Sequence, residues 1–289
     1  MPKGIPAAGF RVRKARDASM FYGNNPSTVT NYSQTTETDE EIAARLNDTF
    51  DILKLMTEAA SNGNAKAIIV SGAPGLGKSF TVEEVLKPLG ESCGYVKGFT
   101  RPTGLYKALH EYQHAGNVIV FDDCDSVFSD EVSLNLLKAA CDTLDTRSIS
   151  YGAETNMEAA DGTKLPRKFE FNGAIIFITN LDFEQMIASG SKLSPHLEAL
   201  MSRSHYINLG MHSKRDYIVR IKQVVEAGML TKRDISAEGQ TEVMDWVFEN
   251  VERFRELSLR MIIKAADLYK SNHSEWKRIA SATLFKSSR

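Results

Sequence analysis

Three apolar runs stand out along an otherwise amphipathic chain: KAIIVSG at 66–72, VIVF at 118–121 and AIIFI within FNGAIIFITN at 171–180. Runs of this length and composition suit buried strands, and a shorter one is expected near Tyr95-Val96-Lys97. Between them the apolar spacing changes to three and four. Thr38-Asp39-Glu40-Glu41 is a capping box, and Ile42, Leu46, Phe50, Leu53 and Met56 follow on one stripe, so a helix is expected from Thr38 to about Asn62-Gly63. Further helices are expected in SFTVEEVLKPLG, around Gly104–His114 and in DEVSLNLLKAACDTL. Strands alternating with helices predict an α/β fold with a mostly parallel sheet flanked by helices. After about residue 211 the strand signals stop. Helices open at Ser213, Ser236 and Ser258, with a fourth near Ser274, which predicts a small C-terminal all-α lid. The expected division is a polar arm over 1–37, an α/β domain over 38–210 and a helical domain over 211–289.

Composition narrows the class. The chain has 289 residues, 42% hydrophobic and 25% charged, with net charge −2, so no global charge points to nucleic acid. The first 17 residues differ, with Lys3, Arg11, Arg13, Lys14 and Arg16 against Asp17 alone. This stretch is Arg-rich like a transit peptide but has no amphipathic stripe, and is read as a basic arm. Cys93, Cys124 and Cys141 are odd in number and without paired spacing, which argues for a reducing compartment and against a disulfide framework. No apolar run approaches the ~20 residues of a membrane helix. A cytoplasmic protein is therefore expected.

The chemistry lies at the ends of two strands. Residues 72–79, GAPGLGKS, form a complete G-x-x-x-x-G-K-[ST] loop between a strand and a helix. In such a loop the amides of Gly72, Ala73, Pro74, Gly75, Leu76 and Gly77, except that proline lacks an N–H, wrap a polyphosphate at a helix N-terminus. Lys78 is expected on the β/γ-phosphates, Ser79 on Mg²⁺, and Phe80 beside the nucleotide. A second strand must then supply a metal-side acid, and VIVFDDCDSVF does so. Asp122 is the Mg²⁺-side carboxylate with Ser79. Asp123 stands where a carboxylate would orient or deprotonate water. Asp125 is a further acid, or a helix-cap or turn residue. ATP/ADP and Mg²⁺ are the implied cofactors.

GAPGLGKS, FDD at a strand end, a later apolar strand ending in Asn180 and a helical C-terminal region together resemble the AAA+ ATPases over roughly residues 38–289. That resemblance implies that Asn180 is the sensor 1 residue. It implies that Arg203, in HLEALMSRSHYINL, is an arginine finger acting on a neighbouring subunit in a homo-oligomer, a hexamer or another ring or spiral. It implies that Arg260, in SLRMIIKAADLY, is the sensor 2 arginine of the lid, with Arg253 and Arg255 as alternatives. Ile42 and Leu46, ahead of the glycine loop, are weak candidates for base recognition. FDDCDS, LNLLKAA, FEFNGAIIFITN and SLRMIIKAADL are most similar to uncharacterised AAA+ proteins of tailed bacteriophages, which implies work in a host bacterial cytoplasm.

Two segments bear on what an ATP cycle would drive. RSISYGAETNMEAADGTKLPRKFEF reads as a projecting β-hairpin, basic through Arg147, Lys164, Arg167 and Lys168, and is either a DNA or protein contact or a solvated decoration. GFTRPTGLY at 98–106 falls where ring-forming relatives line their pore; Phe99, Arg101 and Tyr106 could grip a strand there, or Phe99 and Tyr106 could be core residues. Three functions stay open: an ATPase on DNA or a replication complex, loader- or initiator-like; a protein-remodelling motor; and an ATP-dependent oligomerisation switch with little turnover. AAA+ proteins most often carry glutamate at the position of Asp123, and the shorter aspartate suits slow turnover.

Overall fold

The computed structural model describes residues 37–144, 146–152, 157–159 and 162–287. The basic arm expected at the N-terminus lies outside the described residues. In chain order the elements are α1 (Asp39–Ser61), β1 (Ala67–Ser71), α2 (Lys78–Leu86), β2 (Cys93–Lys97), α3 (Pro102–Glu111), β3 (Val118–Asp122), α4 (Glu131–Ala140), β4 (Ser148–Ser150), β5 (Lys168–Glu170), β6 (Ala174–Thr179), α5 (Phe183–Ala188), α6 (Ser194–Met201), β7 (His205–Asn208), α7 (Lys214–Glu226), α8 (Ala237–Glu249), α9 (Leu259–Ser271) and α10 (Trp276–Leu284).

The unbroken apolar runs follow from where their strands sit. β1, β3 and β6 are buried at every residue because both faces of the sheet are covered. Successive side chains alternate sides: Ala67, Ile69, Ile119, Phe121, Ile175 and Phe177 enter one core layer with α3, α4 and α6. Ile68, Val70, Val118, Val120, Ile176 and Ile178 enter the other with α1 and α2. Each fully buried isoleucine contributes about 1.5–3 kcal/mol of transfer free energy, so these strands anchor the fold. The sheet order is β2-β3-β6-β1-β7, with every pair parallel. All five strands therefore end on one edge, and the glycine loop, Asp122 and Asn180 arrive there together.

α1 opens on the expected capping box, with the Thr38 side chain accepting from Glu41 N and the Glu41 carboxylate accepting from Thr38 N. α3 starts a little earlier than its apolar spacing suggests, because Pro102 at its first position fixes a helical φ after the extended Arg101.

The hairpin is real but docked at its base. β4 pairs antiparallel with β5, and Ile149 and Phe169, directly opposite each other, are buried. Phe169 packs edge-on against Tyr106, centroids 5.1 Å apart. This decides one open alternative and corrects one expectation. Tyr106 is fully buried, its hydroxyl donating to Pro166 O, so it is a core residue and not a pore-loop side chain. Arg147 is only 3% exposed and donates to Ala140 O and Gly173 O at 2.9 and 2.7 Å. It is an internal staple rather than part of a basic surface; Lys164, Arg167 and Lys168 are exposed.

Beyond β7, helices α7 to α10 build a core of their own around Trp246, Phe254, Trp276 and Phe285. α7, α8 and α9 each begin at the expected serine, whose hydroxyl accepts from an amide three residues on. α10 starts after Glu275, one residue beyond the expected Ser274.

Candidate nucleotide site

The loop after β1 turns through backbone that side chains disfavour. Gly75 and Gly77 have φ of +73° and +95°, and a Cβ on Gly75 would lie 2.6 Å from Ser258 Cβ. Gly77 is also the N-cap of α2, whose first amides point into the loop. The C-terminal helical region reaches this point directly, because Leu259 N, at the start of α9, donates to Gly75 O at 2.9 Å.

Lys78, the first residue of α2, is 5% exposed. Its ammonium donates to Gly72 O, Ala73 O and Asn180 Oδ1 at 2.5, 2.9 and 2.9 Å. Burial pushes its pKa down to about 8, with Arg260 adding to the fall and Asp123, Asp122 and Asp125 opposing it. Ser79 Oγ donates to Asp122 Oδ1 at 2.9 Å. The hydroxyl of the loop and the strand-end acid are thus hydrogen-bonded to each other. Among the described residues no group of three or more His, Cys, Asp or Glu side chains could hold a metal. Magnesium at a phosphate site asks for less, since phosphate and water oxygens fill most of its shell.

Asp123 leaves the strand at φ +53°, a conformation rare for a residue with a side chain. The turn swings its carboxylate out of the sheet to where Asn180 Nδ2 donates to Oδ1 at 2.8 Å. Asn180 therefore bridges Lys78 and Asp123 with the two ends of one amide. Asp125 opens a short 3-10 turn, 125–128, and its carboxylate accepts from Thr179 Oγ1 at 2.6 Å. It ties the acidic turn to the strand that carries Asn180, and burial raises its pKa despite that bond. Sequence reasoning missed Lys97, which strand register sets beside Asp122. Its Nζ lies 3.6 Å from Asp122 Oδ2 and 2.6 Å from Glu83 Oε1.

The remaining candidates fall in three places. Arg260 lies in the first turn of α9, exposed, and its charge acts on Lys78. Arg253 and Arg255 are engaged elsewhere, on the Phe285 ring and the Phe285 carbonyl. Arg203 follows α6, its Nη1 donating to Ala199 O, and precedes β7 by two residues. Since His205 pairs with Ile68 and Asn208 with Ser71, Arg203 sits at the opposite edge of the sheet from the glycine loop, about 15–20 Å along the strands. It is not brought to its own chain's site. Ile42 and Leu46 are 0% and 3% exposed, packed against Val219 of α7, which leaves them no face for a base and corrects that expectation. Phe80 is 57% exposed.

No family model matches the chain. An uncharacterised 36.7 kDa protein from the nrdC-mobD intergenic region of Enterobacteria phage T4 is 36% identical over 251 residues, which is 85% of this chain and 76% of the phage protein. The chain belongs to the same family as that phage protein. Solved structures similar to this chain include the RuvB Holliday junction branch migration motor of Thermotoga maritima, at 11% identity, 83% and 68% coverage and a TM-score of 0.47. Domain III of the Thermotoga maritima replication initiation protein DnaA is similar at 10% identity, 84% and 92% coverage and a TM-score of 0.45. The five strands of the sheet are all parallel, with the glycine loop after β1 and the acids after β3. Among the described residues, no helix is long and apolar enough to cross a membrane.

Proposed function

We propose that this protein binds ATP with Mg²⁺ and hydrolyses it as a homo-oligomer, with residues 38–210 as the nucleotide domain and 211–289 as its lid. The observation that carries the reading is the hydrogen-bonded chain Lys78–Asn180–Asp123, which joins the glycine loop to the acidic strand end through one amide. In this reading the 72–79 amides, Lys78 and Phe80 hold the nucleotide, and Ser79 and Asp122 hold the metal. The metal supplies charge neutralisation on the phosphates. Asp123 accepts a proton from, or orients, the attacking water, and Asn180 fixes its carboxylate. Arg260 reaches the γ-phosphate from the lid. Arg203 serves the next subunit, a role supported by its place at the far edge of its own sheet.

The work driven is proposed to be on DNA or a replication complex in a bacterial cytoplasm. The exposed Lys164, Arg167 and Lys168 support a phosphate-facing hairpin, and the phage relative supports the setting. A second reading, a protein remodeller, rests on Phe99, which is 73% exposed in the loop after β2.

A complementation assay tests the proposal. Lys78→Ala should lose nucleotide binding, and tight binding by this variant would sink the site. Arg203→Ala and Asp123→Asn should each be inactive alone, and their mixture should regain part of the turnover, because a subunit with an intact site then meets an intact finger. No recovery at any concentration would remove the trans-acting role. Stimulation of turnover by single-stranded DNA separates the first kind of work from the second.

A further inference from the structure

α7 carries a polar stripe on the face it turns toward α1. Asp216, Arg220 and Gln223 recur at spacings of four and three. Asp216 meets Arg45 at 3.0 Å, and Gln223 Nε2 donates to Ala43 O and Asn47 Oδ1. Arg220 alone has no such partner. Its guanidinium lies over the Phe50 ring of α1, 3.4 Å from the centroid, and Phe50 is itself 3% exposed. Its Nε is buried without a hydrogen bond. None of the ion pairs among the described residues includes it.

A half-buried cation that makes no ion pair, with Asp51 acting on it only at longer range, is costly, and its surroundings say what it serves. Arg220 Nη2 lies 3.9 Å from where a Cβ on Gly77 would stand, so the guanidinium borders the anion-binding loop. Burial lowers its pKa to about 10, with Asp51 opposing the fall, and it stays charged at neutral pH. The flat ring beneath it holds the fork in one plane, which an arginine tolerates and a lysine does not exploit.

We propose that Arg220 is a nucleotide-binding residue of the lid, held by Phe50 so that its guanidinium meets a phosphoryl oxygen of the nucleotide beside Gly77. This rests on the nucleotide reading above and adds a second lid cation, from α7, to Arg260 of α9. The two would join the phosphates to two lid helices, so that lid position and bound nucleotide report on each other.

Titration calorimetry with ADP and ATP on the full chain, paired with melting curves, tests it through Arg220→Met and Arg220→Lys. Arg220→Met should weaken both nucleotides by about tenfold or more, the scale of a lost charge-assisted bond. Arg220→Lys should fall between. Without added nucleotide Arg220→Met should melt no lower than wild type, because it removes an unpaired charge, while its nucleotide-induced rise in Tm shrinks. Wild-type affinity in Arg220→Met overturns the assignment alone and leaves the nucleotide reading standing. Absence of ADP and ATP binding by wild type overturns both. A lower Tm with an unchanged nucleotide-induced rise marks a packing role and overturns the assignment. Should Arg220→Met fail to fold, Arg220→Lys decides: affinity equal to wild type overturns it.

Discussion

The two edges of the central sheet bury a cation each and hold it differently. At the carboxyl edge Lys78 divides its bonds between loop carbonyls and the Asn180 amide, whose other end holds Asp123. At the amino edge Arg147 bonds two carbonyls on separate elements, Ala140 at the end of α4 and Gly173 just before β6, with the Phe171 ring against it. Arg147 cannot change partners without moving backbone. Lys78 and Asp123 can, because a side-chain amide rotates within its own packing. One edge is stapled, and the other is built from bonds that can be re-made around a ligand.

The comparison breaks most sharply at Asp123. Asp123→Asn keeps the shape of the side chain and removes its charge, so turnover should fall by about 10² to 10⁴ while nucleotide affinity stays near wild type. Steady-state hydrolysis alongside equilibrium binding measures the split. Undiminished turnover would mean that the acidic turn is only structural. At the amino edge the expected effect is on folding instead. Arg147→Met leaves two buried carbonyls without donors and should cost about 2–4 kcal/mol in a denaturant titration, with nucleotide affinity unchanged. A nucleotide defect there would erase the distinction between the edges.

The stapled edge was also the less legible one. β1, β3 and β6 declare themselves because both of their faces are buried, and the glycine loop because its spacing is fixed by the phosphates it would wrap. Thr38, Ser213, Ser236 and Ser258 mark helix starts because a cap bond is local. Arg147 gives no such sign: its acceptors lie 7 and 26 residues away along the chain, so nothing near it separates a buried arginine from an exposed one. Tyr106 was ambiguous for the same reason, since the carbonyl that satisfies its hydroxyl is 60 residues on. The left-handed turn at Asp123 and the double role of Asn180 belong to contacts between strands. Arg220 left a trace, as a charged residue on the inward stripe of α7, but its ring partner belongs to a helix 170 residues earlier.

The smallest effect asks whether the lid contact at the carboxyl edge is itself re-makeable. Ser258 is 1% exposed; it caps α9 by accepting from Met261 N at 3.2 Å, and its Cβ sits against Gly75. Ser258→Ala removes the cap and keeps the Cβ, so it should cost about 1 kcal/mol of stability. Ser213→Ala, at the start of α7, is its control, since that serine also bonds the buried Asp216, which pairs with Arg45 of α1. If the lid rides on the loop as a fixed body through Leu259 N and Gly75 O, Ser258→Ala lowers Tm without changing nucleotide affinity. If affinity falls in step with stability, the first turn of α9 must stay wound to keep Arg260 over the loop. The re-makeable set at this edge would then extend from side chains to the end of a helix.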